Sequence, residues 1–137
     1  MSLTMKILID TNVLISTALF PNSFAAKAFN IIIKNPSDII ICDYELDEMR
    51  TVFNRKFQSK LSALDSFIAS LIGTINIVKV PEEPSKYDIR DVNDEPILRT
   101  ALHYNVDIIL TGDKDFAAVI MDKPEVVTPK EFVERNS

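Results

Sequence analysis

This sequence predicts a single α/β domain built on a mostly parallel sheet, and three observations support it. Short Ile/Val/Leu runs recur along the chain without the alternation of a half-exposed strand, as in strands buried on both faces. Between them lie segments whose apolar residues fall at three- and four-residue spacing, the period of an amphipathic helix. The chain is 137 residues long, 47% hydrophobic and 26% charged, which suits one globular domain with its own core. Strands alternating with helices pack as three layers, α/β/α, around a central sheet.

Met5–Ile9 reads as the first strand and ends at Asp10. Phe24–Lys34 is a helix with Ala25, Ala28, Phe29 and Ile32 on one stripe. Ile39–Cys42 is the second strand, followed by a helix over Asp43–Phe57 carrying Leu46, Met49, Val52 and Phe53. Leu61–Ile72 is a further helix, with Leu64, Ile68 and Leu71 on its apolar face, and Asn76–Val80 the third strand. Pro81–Asp94 has two prolines, several acids and no hydrophobic period. It is linker-like but too short to separate domains. The stripe Ile97, Leu98, Ala101 and Leu102 marks the next helix, and Asp107–Leu110 the fourth strand. Phe116–Met121 and Lys130–Arg135 are short closing helices around a fifth strand, Glu125–Val127. Met1–Thr4 precede a second methionine and are set aside as an N-terminal extension or cloning remnant, so the domain spans 5–137.

Composition removes several function classes. No apolar run approaches the roughly 20 residues of a membrane span, and no secretory signal is expected. One cysteine, Cys42, forbids an internal disulfide and fits a reducing cytoplasm. One cysteine and one histidine, His103, leave no set for the usual structural zinc sites. With only Gly73 and Gly112, neither a P-loop nor a dinucleotide fingerprint can be built. The net charge of −5 argues against nucleic-acid binding by broad charge neutralisation, so any such binding needs bound cations or a local basic patch.

Acids are common here, so position must select among them. Asp10 follows the first strand, and Asp113 follows the fourth through Thr111 and Gly112. The carboxyl ends of parallel strands share one edge, where ligands bind. The helix after the second strand starts at that edge and carries Glu48 little more than one turn in. Asp94 stands where an N-cap belongs, before Glu95-Pro96, and its helix also starts at the carboxyl edge. Singly, Asp94 reads as a cap, Asp113 as a turn residue and Glu48 as a solvated helix residue. Asp10 is harder to dismiss, because a charge ending a buried strand wants a partner. Together the four converge on one crevice, where neighbouring carboxylates repel unless they protonate or share a cation. Mg²⁺ or Mn²⁺, one ion or two, suits such oxygen ligands, and phosphodiester hydrolysis is the natural use.

These residues resemble a PIN-domain protein over essentially the whole chain from Met5. Ile7–Leu14 looks like the family's opening strand with its first acid, and Asp47–Val52 like the segment with its glutamate. Arg90–Ala101 and Ile109–Phe116 resemble the third and fourth blocks. The resemblance implies that Asp10, Glu48, Asp94 and Asp113 are the catalytic, metal-binding acids. It places Asn12, Thr111 and Asp115 beside them, with Asp91 as a supporting acid. It implies a Mg²⁺- or Mn²⁺-dependent endoribonuclease acting on RNA. Many members are toxins of bacterial toxin–antitoxin pairs, homodimeric and restrained by an antitoxin. Glu45 departs from the pattern: it is acidic where an apolar residue is expected, one turn before Glu48.

Other readings stay in view. Lys114, and Arg50 in the basic run of Arg50, Arg55, Lys56 and Lys60, are candidate RNA contacts; a solvated face over buried Phe53 and Phe57 is the alternative. Cys42 with His103 is a conceivable nucleophile pair, against a buried inert thiol. A non-catalytic module whose acidic crevice binds a basic partner segment is the second functional class, and a DNA nuclease or phosphatase the third.

Overall fold

A computed structural model describes residues 4–35 and 37–136. The extension at Met1–Thr4 lies, apart from Thr4, outside the described residues, as do Pro36 and Ser137. Five parallel strands form one sheet: β1 (Met5–Ile9), β2 (Ser37–Cys42), β3 (Asn76–Val78), β4 (Ile108–Leu110) and β5 (Glu125–Val127), in the order β3-β2-β1-β4-β5. The chain starts on the central strand, winds outward to β3, then returns to pair β4 on the other side of β1.

Alternation along the strands divides the core in two. Ile7, Ile9, Ile39, Ile41, Ile108 and Leu110 face one layer, while Leu8, Ile40, Cys42 and Ile109 face the other. Because both faces are covered there, the carboxyl halves of β1 and β2 and all of β4 are unbroken buried apolar runs rather than alternating ones. The first layer holds α1 (Thr11–Leu19), α2 (Phe24–Lys34), α3 (Asp43–Lys56), α4 (Leu61–Leu71) and α7 (Pro129–Arg135). The second holds α5 (Glu95–His103) and α6 (Lys114–Ala117). This is the three-layer α/β/α architecture expected. No helix among the described residues is long and apolar enough to cross a membrane.

Several expectations need correction. Helix α1 has no counterpart in the periodicities above. Thr11, Val13, Leu14 and Ile15 are all buried, so the helix carries no polar stripe to betray its period. The closing helix expected at Phe116–Met121 is instead a single turn starting at Lys114, because Asp113 caps it there. Asp107 lies just before β4, its carboxylate accepting from the Lys6 backbone N–H at 2.8 Å. Pro81–Asp94 is not a free linker. Tyr87 and Ile89 pack on the second core, the Ser85 N–H donates to Glu95 and the Arg99 guanidinium donates to the Pro81 carbonyl. The segment ends in a 3-10 turn, Val92–Asp94.

Phe53 is fully buried in the first core between α3 and α4. Phe53→Ala should lose about 3–5 kcal/mol in urea unfolding, the range for a truncated core aromatic; a loss below about 1 kcal/mol would contradict this packing.

Candidate metal centre

Asp10 sits at the carboxyl end of the central strand and is only 2% exposed. Its backbone N–H donates to the Leu110 carbonyl at 3.0 Å, extending the β1–β4 ladder and fixing its position. Both carboxylate oxygens are engaged. Oδ1 accepts from the Thr11 N–H at 2.8 Å, at the start of α1, and Oδ2 accepts from the Thr111 hydroxyl at 2.7 Å. No cation among the described residues offsets the burial. Desolvation outweighs both hydrogen bonds, and Glu48 and Asp113 add repulsion, so the Asp10 carboxyl is pushed up to about 6.

The turn after β4 supplies the next acid. Thr111 donates to Asp10 and at the same oxygen accepts the Asp113 N–H at 3.0 Å, linking two strand ends through one hydroxyl. The Asp113 carboxylate accepts from the Asp115 N–H at 2.8 Å and caps α6, the turn role considered for it above. Asp115 is gripped by both arms of Arg90, each at 2.8 Å, although Arg90 is 81% exposed.

Asp94 does not do what its position suggested. Its side chain makes no cap bond to α5; instead Asp91 accepts from the Asn93 N–H and opens the 3-10 turn. The Asp94 carboxyl is thereby released into the crevice, 9% exposed, with Oδ2 buried and without a hydrogen-bond partner. Burial first, then a side-chain hydrogen bond to the Asp113 carboxyl that forms when Asp94 carries a proton, then the charges of Asp113, Asp10 and Asp91 push it up to about 8; as a carboxylate, Asp94 leaves Oδ2 unpartnered. Among the described residues, Asp91, Asp94 and Asp115 offer carboxylate oxygens all within 4.8 Å of one another. Of the four expected ligands this oxygen group holds Asp94 and not Asp10, Glu48 or Asp113; its other members are Asp91 and Asp115, expected only as supporting acids beside the site. Asp10 and Asp113 are close enough to Asp94 to raise it.

Helix α3 contributes two acids of different character. The half-buried Glu48 accepts from the Thr11 hydroxyl at 2.7 Å, and burial raises its carboxyl. Glu45 is fully buried in what is otherwise a core position. Its Oε1 accepts from the Cys42 N–H at 3.2 Å, while Oε2 has no hydrogen-bond partner. Burial, then the charge of Asp10, hold Glu45 well above the usual carboxylate range. The Cys42 thiol lies 3.6 Å from Glu45 Oε1 and is pushed strongly up by burial. His103 is exposed and edge-on to Tyr104, so the pair considered as a nucleophile is not formed.

Asn12 is exposed in the first turn of α1, Lys114 is exposed at the start of α6, and Arg50 is exposed on α3. Sequence reasoning missed Thr11, Arg90 and Tyr44. Thr11 holds Glu48 across 37 residues and Arg90 holds Asp115 across 25, pairings that no local pattern encodes. The half-buried Tyr44 lies within the field of Glu48, Asp94 and Asp91. The donor set is all oxygen and carboxylate-rich, and two buried oxygens, Glu45 Oε2 and Asp94 Oδ2, lack hydrogen-bond partners. Hard cations such as Mg²⁺ and Mn²⁺ fit that chemistry.

The raised carboxyls set a sign for stability. Asp10 and Asp94 bind protons more tightly folded than unfolded, so without metal the fold loses stability as pH rises from about 4 to about 8. In EDTA at pH 8, Asp94→Asn should melt on the order of 3 °C or more above wild type, with the gap closing towards pH 4. An equal or lower melting temperature across that range would contradict the electrostatics described.

A family profile described as PIN domain matches residues 6–115. No curated protein matches the sequence. Among solved structures, the chain is similar to the VapBC2 complex of Rickettsia felis bound to a DNA fragment from its promoter. The TM-score is 0.67 at 13% identity, covering 90% of this chain and 98% of that one. It is also similar to VapC20 of Mycobacterium tuberculosis, described as a sarcin–ricin loop cleaving toxin. The TM-score is 0.62 at 14% identity, covering 82% of this chain and 93% of that one. At such identities the structures speak to the fold, and the profile speaks to ancestry: the chain belongs to the PIN-domain family.

Proposed function

We propose that this chain is a Mg²⁺- or Mn²⁺-dependent endoribonuclease that hydrolyses RNA phosphodiesters. The observation that carries the proposal is the crowding of acids at one sheet edge, where Arg90 pairs with Asp115 alone and no ion pair is formed by Asp10, Glu48, Asp91, Asp94 or Asp113 among the described residues. Three carboxylates have oxygens within 4.8 Å, and Asp94 keeps a buried oxygen without a hydrogen-bond partner. A fold that tolerates this repulsion only to close a turn would have little reason to bury Asp94.

Asp10, Glu48, Asp94 and Asp113 would hold the ion or ions, with Asp91 and Asp115 within reach of the same space. When bound, the ion would polarise the phosphate oxygens and lower the pKa of an attacking water. The remaining work falls to the chain. Thr111 fixes Asp10 and the Asp113 turn together, and Thr11 fixes Glu48, so the acids cannot swing away from one another. Between the two acids of α3, Glu48 is the better ligand. It is half-buried at the crevice, whereas Glu45 is fully buried and tied to the Cys42 backbone.

The likeness to VapBC2 and to VapC20 supports a toxin role with an antitoxin partner; a homodimeric assembly working in the cytoplasm is part of the same proposal and rests on the family resemblance alone. The exposed apolar side chains Phe20, Phe24 and Ile72 offer surface for such contacts. One observation favours the second reading, a module that binds a basic segment. Arg90 already shows that an acid of this edge takes a guanidinium in two-armed fashion. A partner arginine could be held the same way whether or not the site is catalytic.

Cleavage of a structured RNA panel in Mn²⁺ tests the proposal. Wild type should cut and EDTA should abolish cutting. Asp10→Asn and Asp94→Asn should each lose at least about a hundredfold, and Thr111→Val about 10- to 100-fold. Cleavage by Asp10→Asn at the wild-type rate would overturn the assignment.

A further inference from the structure

We propose that the groove running from Glu48 along α3 seats the single-stranded RNA nucleotide next to the cleaved phosphodiester, with Arg55 on the following phosphate. This rests on the nuclease reading of the acid edge.

The groove holds about 380 Å³ and is walled by Tyr44, Asp47, Glu48, Thr51, Val52 and Arg55 of α3 on one side and Asn93 on the other, so among the described residues Arg55 is its one cation beside two acids. Those α3 positions recur at three- and four-residue spacing and so form one stripe. Glu48 belongs both to this stripe and to the acid edge, so the groove opens directly from the candidate metal centre. Its volume sits at the low end of ligand cavities, roughly 300–1,000 Å³, which suits one nucleotide and not a duplex. Tyr44, half-buried with its ring against the second core, and Val52 supply an apolar wall for the face of a base. Asn93 is placed to meet a base edge with its amide.

Charge singles out Arg55. Arg90, Arg99 and Arg135 are each occupied by a carboxylate. Arg50 and Arg55 form no ion pair among the described residues, and of these two only Arg55 lines the groove. The sequence pattern singled out Arg50, which is exposed on α3 off this stripe. Seven residues of helix separate Glu48 from Arg55, about 10 Å along the axis. A strand leaving the acid edge along α3 therefore meets a free guanidinium after a short step. In a chain of net charge −5, this local cation is what a phosphate backbone would follow.

The test is anisotropy of a labelled single-stranded RNA of mixed sequence with the full chain, in Ca²⁺, with a gel to verify that the strand stays whole. Arg55→Ala should weaken binding about fivefold or more. It should also flatten the log K against log [salt] slope by about 0.7, the contribution of one single-strand phosphate contact. Arg50→Ala should change neither, and Arg55→Lys should keep the slope. Tyr44→Ala should weaken binding fivefold or more while Tyr44→Phe retains it. Arg55 is exposed, so its variants should melt like wild type. Equal losses for Arg50→Ala and Arg55→Ala, or no loss for Arg55→Ala, would overturn the groove assignment. So would Arg55-dependent binding of a duplex as tight as that of the single strand. Arg55-dependent binding without any cleavage in Mn²⁺ would retire the nuclease reading and keep the groove; cleavage insensitive to Arg55 would do the reverse. A wild type that binds no RNA would overturn both.

Discussion

A carboxylate buried at the end of the central strand is the constraint on which the rest of the molecule turns. Asp10 is 2% exposed, and both its oxygens are satisfied only because α1 begins directly after it and because Thr111 stands at the end of the neighbouring strand. Remove either donor and one buried carboxylate oxygen is left without a partner, a cost of about 1–3 kcal/mol by the usual scale for an unsatisfied buried group. The β1–β4 register, the start of α1 and the turn at Thr111–Asp113 are therefore mutually dependent. Thr111 ties them with one hydroxyl that donates to Asp10 and accepts from the Asp113 N–H.

Around that fixed point the other acids are held by elements with separate structural reasons to be there. Asp113 caps α6, Asp91 opens a 3-10 turn, and Glu45 closes the first turn of α3. Asp94 is the exception, with no cap bond and a buried oxygen that lacks a hydrogen-bond partner. A chain of net charge −5 gathers further negative charge at this edge, an arrangement that a divalent cation would complete under the function proposed.

Much of this was legible in the sequence for a physical reason. Parallel strands covered on both faces must be apolar throughout, so β1, β2 and β4 announced themselves, and an acid closing such a run was conspicuous at Asp10. Helix α1 was hidden for a different reason, because its apolar residues Val13, Leu14, Ile15, Ala18 and Leu19 are spread around the helix and show no period. Asp94 was found through its place before α5, yet its side chain does not cap; position was legible, the hydrogen bond was not. The roles of Thr11 and Arg90 depend on partners 37 and 25 residues away, and a single sequence carries no trace of such pairings. Glu45 stood out as an acid in an apolar register, and the structure buries it there completely.

The central claim is that the acid edge exists to hold a divalent cation, and a thermal melt of wild type and Asp10→Asn in EDTA and in Mn²⁺ tests it most directly. A ligand bound only by the folded state adds roughly 2.7 kcal/mol at a hundred times Kd. The account predicts a clear Mn²⁺-dependent rise for wild type that Asp10→Asn loses, although that variant is as stable as wild type or more so in EDTA. A melting temperature indifferent to Mn²⁺ would contradict it, leaving the crowded acids to await a basic partner.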